Sequence, residues 1–145
     1  MSGPSSPGLA GAALRERVDT VLGVPLVRAL SIGLLDEDDP AAGARMPVTE
    51  LAGNGFGGSH SAAMSALMEA AGYLALAPTL SVTEHAVTQS SALSLLAPAG
   101  DGRDVVAVGT VDRRGRRAAY VSVVATVDDR LVARMQVVKA VVPLR

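Results

Sequence analysis

The chain has 145 residues, 49% of them hydrophobic, and carries 13 basic and 14 acidic side chains for a net charge of −1. That length suits a single domain, and the balanced charge excludes the one-sided basic surplus of a nucleic-acid binder. Cysteine is absent and the only histidines are His60 and His85, which excludes disulfides and thiolate metal sites and argues against a histidine zinc site.

Phe56, Tyr73 and Tyr120 are the only aromatic residues, so the core must be built from Val, Leu, Ala and Met. Small side chains imply close helix–sheet contact, and a small domain gains from further burial by oligomerisation. Residues 1–8, rich in Ser, Pro and Gly, are expected to be disordered, ahead of one domain spanning 9–145. The start MSGPSSPGLAG lacks the charge and apolar run of a signal peptide, and no apolar stretch approaches the roughly 20 residues that span a bilayer. A soluble, cytoplasmic protein without a metal is the expectation.

In LAGAALRERVDTVL (9–22), Leu14, Val18, Val21 and Leu22 fall at helical spacing and predict a short amphipathic helix. VPLVRALSIGLL (24–35) reads as extended after Pro25. ARMPVTELAG (44–53) reads as a second strand, at an edge because of Pro47. Residues 61–77 form a long apolar helix that stops near Pro78. Four Val-rich runs follow, 86–99, 103–114, 116–129 and 130–143. Turn signals at Gly100–Gly102, Gly115 and Asp128–Asp129 separate them and predict antiparallel neighbours. The economical architecture is α+β, one antiparallel sheet curled around one buried helix.

That helix is apolar nearly all round, yet it carries Glu69. An unpaired buried carboxylate costs on the order of several kcal/mol, so Glu69 needs a partner, an interface edge or a function. The loop before it, GNGFGGSH (53–60), lets backbone approach a ligand and leads into a helix N-terminus whose N–H groups favour an oxyanion. No Gly-Lys-Ser/Thr follows, which excludes a phosphate-binding P-loop. Glu69 lies nine residues beyond His60, roughly 13 Å along the axis and half a turn around it. If both serve one site, that site combines two chains, and a two-fold dimer makes two such sites.

Asn54, His60 with small residues after it, Leu67 and Glu69 resemble the pattern N-x₅-H-G-G-x₄-L-x-D/E. This is the signature of hotdog-fold acyl-CoA thioesterases of the phenylacetic-acid-pathway (PaaI-like) type, grouped with the 4-hydroxybenzoyl-CoA thioesterases that use a helical Glu. The likeness extends over residues 25–142. It implies a hotdog fold, a homodimer or homotetramer, and hydrolysis of an acyl-CoA to a carboxylic acid and free CoA without a further cofactor. By the same resemblance, Glu69 is the catalytic carboxylate, as base for water or as nucleophile. The N–H of Ser61 donates to the oxyanion, Asn54 orients water or carbonyl, His60 shapes the site beside the sulfur, and Thr88 stands near the attacking water. Leu95–Gly100, with Pro98 and Ala99, and Arg113–Arg117, with Arg113, Arg114, Gly115 and Arg116, take the positions that hold the CoA moiety. Ser61 and Ala62 depart from H-G-G, and Glu69 stands where Asp is common.

Each residue also has a plainer reading: His60 as a helix start, Thr88 as a strand residue, DRRGRR as a solvated hairpin tip, Met64 and Met68 as core, and His85 as an exposed loop residue. Two alternatives to the thioesterase remain. One is a non-catalytic module binding acyl-CoA or an acyl carrier, motivated by the HSA departure. The other is an enoyl-CoA hydratase, disfavoured because no histidine follows Glu69 on the helix.

Overall fold

The computed structural model describes residues 6–100 and 102–145. Most of the expected disordered tail therefore lies outside the described residues. From residue 8 the chain packs: a Cβ on Gly8 would stand 2.0 Å from the Pro78 carbonyl oxygen, and the Leu9 N–H donates to the Leu80 carbonyl at 2.7 Å.

Helix α1 covers Gly11–Leu22. It buries Val18 and rests Leu14, Val21 and Leu22 on the core, as the spacing predicts. The segment read as extended after Pro25 is instead a short helix, α2, Pro25–Ala29. Proline sits at its first turn, where the fixed φ favours a helix and no N–H is missed. Extended structure appears only at β1, Gly33–Leu34. Strand β2 is shorter than the apolar pattern predicts, Ala44–Pro47, and it is not the expected edge, being paired on both sides, with Pro47 past the end of its pairing with β1.

Helix α3, Ser61–Leu76, is the centre of the molecule. Ala, Leu and Met are strong helix formers, and Met64, Leu67, Met68, Ala71, Leu74 and Leu76 are almost wholly buried. A 3-10 turn at Ala77–Thr79 takes in Pro78 and ends the helix. Strands β3 (Glu84–Leu95), β4 (Asp104–Arg114), β5 (Ala118–Val127) and β6 (Arg130–Pro143) follow. All pairs are antiparallel, in the order β1-β2-β4-β5-β6-β3. Ala119, Val121, Val123, Ala125 and Val127 of β5 and Ala133, Met135 and Val137 of β6 turn inward at the strand period. The six-stranded sheet curls around α3 in the hotdog arrangement.

One expected neighbour relation is wrong. The Gly100–Gly102 turn does not pair β3 with β4, because β3 joins β6 at the far edge. The connection crosses the ends of two intervening strands, and Leu96 and Ala97 both donate to the Val132 carbonyl on the way. The other two turns behave as expected. At the tip between β5 and β6, Asp128 and Asp129 both have positive φ (48° and 63°), the primed turn that matches strand twist.

Candidate active site

The start of α3 is fixed by its own sequence. His60 is the N-cap, with its backbone extended, and its Nδ1 accepts the Ala62 N–H at 2.9 Å. The His60 carbonyl takes the Met64 N–H, and the His60 N–H donates to Ala52 at 2.7 Å. Among the described residues no acceptor takes the N–H of Ser61. With the Ala63 N–H, it is one of two donors left without a protein acceptor at the positive end of the helix. Neither Ser61 nor Ala62 has a positive φ, so the two side chains that replace H-G-G sit there without backbone strain.

Asn54 has a local task. Its Oδ1 accepts the N–H of Phe56 (2.7 Å) and of Gly58 (3.2 Å), and so shapes the glycine loop. Gly55 and Gly57, on either side of Phe56, have positive φ, and the Phe56 ring is 94% exposed at the loop tip. The loop is pinned to the segment after β3, where the Ser59 N–H donates to the Ala99 carbonyl and Gly58 bridges Gly100. Between them lies a cavity of about 350 Å³ lined by Asn54, Ser59, Met64 and Leu95–Ala99. A second, about 550 Å³, lies beside Phe56, Pro98, Ala99, Arg103 and Arg130. The structure thus joins Asn54, the helix start, Pro98 and Ala99.

Glu69 is elsewhere. It lies eight residues beyond Ser61, roughly 12 Å along the axis, on the partly open face of α3. Its neighbourhood holds a residue that sequence reasoning missed. Lys139 continues the inward row of β6 after Val137 and is only 4% exposed. Its Nζ donates to Thr88 Oγ1 at 2.9 Å and stands 5.8 Å from the centre of the Tyr73 ring. A bulge between Thr88 and Ser90 in the β3–β6 ladder lies beside this contact. Burial lowers the Lys139 pKa, and the negative charge of Glu69 opposes that shift. A lysine in a row of Val and Ala was the available sequence signal, since period-2 alternation places it indoors.

His85 belongs to the same cluster, which corrects its reading as an exposed loop residue. It is the second residue of β3 and partly buried. Its Nδ1 lies 3.1 Å from Tyr73 Oη, which also receives Arg17 Nη1 at 3.4 Å. The hydroxyl thus accepts from Arg17 and shares a hydrogen bond with the imidazole, whose direction follows the tautomer of the ring. Burial, then the charges of Arg17 and Lys139, lower the His85 pKa, so the ring is neutral near pH 7.

The DRRGRR hairpin splits. Arg114 is half-buried and pairs with Glu84 at 2.9 Å, while Arg113 and Arg116 are exposed beside Gly115. They lie at the far end of β4 from Arg103, roughly 33 Å along the strand. One chain therefore does not bring this hairpin together with Pro98 and Ala99. Among the described residues no group of three His, Asp or Glu side chains could hold a metal, and no helix is long and apolar enough to cross a membrane.

The fold has many solved counterparts. The thioesterase HI1161 of Haemophilus influenzae superposes with a TM-score of 0.80 at 22% identity, over 89% of this chain and 90% of that one. The E. coli PaaI protein of the phenylacetic acid degradation operon gives 0.76 at 20% identity, over 90% and 93%. No curated protein matches the sequence. The family model of FlK, the fluoroacetyl-CoA-specific thioesterase, matches residues 59–145, a span holding the start of α3, Glu69, Thr88 and Lys139. The chain belongs to this thioesterase family and is a thioester hydrolase.

Proposed function

We propose that the protein is a homodimeric acyl-CoA thioesterase whose sites each combine Glu69 of one chain with the α3 N-terminus of the other. The carrying observation is the geometry of α3: a free Ser61 N–H at its start, and a carboxylate on its open face roughly 12 Å further on. The two groups are too far apart to flank one thioester carbonyl within a chain. Strand β3 supports the dimer. It is the sheet edge, has 12 residues and is exposed along most of its length, a template for pairing with another copy. A two-fold axis between two such edges reverses one chain relative to the other and carries each helix start toward its partner's Glu69.

In this site the thioester carbonyl points at the Ser61 N–H, and the helix dipole favours the charge that develops on oxygen. Glu69 takes the proton from an attacking water, or attacks the carbonyl itself and is released from the anhydride by water. The C–S bond breaks and CoA leaves as the thiol. Thr88 acts through Lys139, whose Nζ it accepts, while Asn54 and His60 hold the loop and helix start that present the Ser61 N–H. The CoA moiety rests against Pro98 and Ala99, with Arg103 and Arg130 in the adjoining cavity for its phosphates. Arg113, Gly115 and Arg116 reach the same CoA only across the chain boundary. Arg114, held by Glu84, contributes to the hairpin's shape.

The test is thiol release from a panel of short, medium, long and aryl acyl-CoA esters, with fluoroacetyl-CoA included because of the family's name. Glu69→Ala runs beside the parent. Turnover that falls about 10²–10⁴-fold in the variant is expected. Equal turnover would remove Glu69 from the mechanism.

A further inference from the structure

We propose that Lys139 is a positioning residue for thioester hydrolysis: its ammonium, fixed by the Thr88 hydroxyl beside the Tyr73 turn of α3 that follows Glu69, holds that carboxylate in place. The proposal rests on the thioesterase reading above and adds a residue to it.

The position is unusual for a lysine. Ala133, Met135, Val137 and Lys139 form one inward row of β6, and all are buried. An apolar residue would continue the row without cost, whereas a buried ammonium must be compensated. The compensation is local and directional. Thr88, the direct cross-strand partner of Lys139 in the β3–β6 ladder, accepts its hydrogen bond at 2.9 Å. The Tyr73 ring lies 5.8 Å from Nζ, and Tyr73 follows Glu69 by one turn on α3.

The negative charge of Glu69 acts on Lys139, yet the two do not form one of the direct ion pairs, which among the described residues join Arg103 to Asp128 and Arg114 to Glu84. That separation suits a working carboxylate. A direct pair would occupy its oxygens, whereas a charge set back from them leaves the lone pairs free for water or a carbonyl carbon. The other groups that face Lys139 are His85 of β3, which stays neutral near pH 7, and Arg17 of α1, which reaches the cluster through Tyr73 Oη. Ala119, its partner on β5, carries no charge. Among the described residues, Glu69 is thus the one anionic side chain acting on the ammonium.

Burial lowers the Lys139 pKa, so the ammonium loses its proton at a pH below that of an exposed lysine. Activity that depends on it falls over the same range. Lys139→Met should lower kcat about tenfold or more with little change in KM, the effect of removing one neighbouring charge from a partly dry site, and should lose the alkaline fall. Lys139→Arg should restore most of kcat and move the alkaline fall to higher pH, because guanidinium stays charged. A Lys139→Met enzyme with parental kcat and the parental alkaline limb would overturn the proposal and leave the thioesterase reading standing.

A second measurement needs no turnover. The side-chain resonances of Lys139, assigned by their loss in Lys139→Arg, are titrated by NMR in the parent and in Glu69→Gln. The midpoint should fall in Glu69→Gln, since the charge that raises it has gone. An unchanged midpoint would sink the link between the two residues whether or not any ester is hydrolysed. A parent that hydrolyses no ester while the midpoint still shifts would fail the thioesterase reading, and with it the positioning role, but would keep the coupling of Lys139 to Glu69.

Discussion

Gly109 of β4 lies directly under Gly72 of α3, so close that a Cβ on Gly109 would stand 3.2 Å from the Gly72 Cα and 2.9 Å from both the Ala71 carbonyl oxygen and the Ala75 Cβ. The central helix thus touches the sheet backbone to backbone. Gly109→Ala must push α3 away from β4 along a contact that is otherwise fully packed. Overpacking of this kind costs about 1–3 kcal/mol. A denaturant midpoint lowered with an unchanged slope is the expected result, and unchanged stability would show that the helix can move.

The composition made this contact legible. With three aromatic residues in the chain and a helix of Ala, Met and Leu, close helix–sheet packing was the only way to fill a core. The boundaries of α3 and of the last three strands were also legible, because Pro78 and the turn residues punctuate them. Two features were not. Pro25 was read as the start of extended chain, although proline serves equally at the first turn of a helix. The β3–β4 connection contains turn residues but spans two strands, and turn chemistry reports local bends rather than which strands become neighbours.

His60 bears on folding independently of any catalysis. Its imidazole is the only side-chain cap at the start of α3. His60→Ala leaves the Ala62 N–H without that partner and should cost about 1 kcal/mol. His60→Asn, which offers a cap oxygen, should recover most of it. Thermal unfolding of the three proteins decides, and equal stability of His60→Ala and the parent would show that solvent replaces the cap.

Glu84 ties β3 to the β4–β5 hairpin. Its carboxylate accepts the Ser81 N–H at 2.9 Å and the Arg114 guanidinium at 2.9 Å. The Ser81 bond first, and Arg114 after it, hold its pKa below the ordinary 4.5. A carboxylate with a depressed folded pKa contributes stability that is fully present above the unfolded value and is lost as pH falls through the folded one. Glu84→Gln should therefore be less stable than the parent at pH 7, with the gap closing below about pH 4.5. Urea unfolding at pH 7 and pH 3.5 tests this. A gap that stays constant would assign the loss to packing.

The site was legible where chemistry is carried by pattern. The spacing of Asn54, His60 and Glu69 located the helix start and the carboxylate, and the helical rise alone separated them. Lys139 and Tyr73 escaped because each sits in a run that reads as core, and only the sheet register reveals that Lys139 faces Thr88 and the Glu69 turn. The arginines of the hairpin are a different case. They stand out in sequence, yet one is held by Glu84 and the others lie at the far end of β4 from Pro98.

Ser61 allows the oxyanion donor to be removed with the side chains around it untouched. It is the first residue of α3, and His60 before it is already extended, with ψ of 142°. Proline is favoured at that helix position and requires an extended residue ahead of it. Ser61→Pro therefore deletes one N–H and keeps the helix. If that N–H holds the thioester oxygen as charge develops, kcat should fall about 10²–10³-fold, the usual effect of one oxyanion donor, while the melting temperature stays near that of the parent. Ser61→Ala, which keeps the N–H, should remain within a few-fold of the parent and separates the backbone from the hydroxyl. Parental turnover in Ser61→Pro would move the oxyanion to another donor. Loss in both variants alike would mean that the Ser61 hydroxyl, rather than its backbone, meets the substrate.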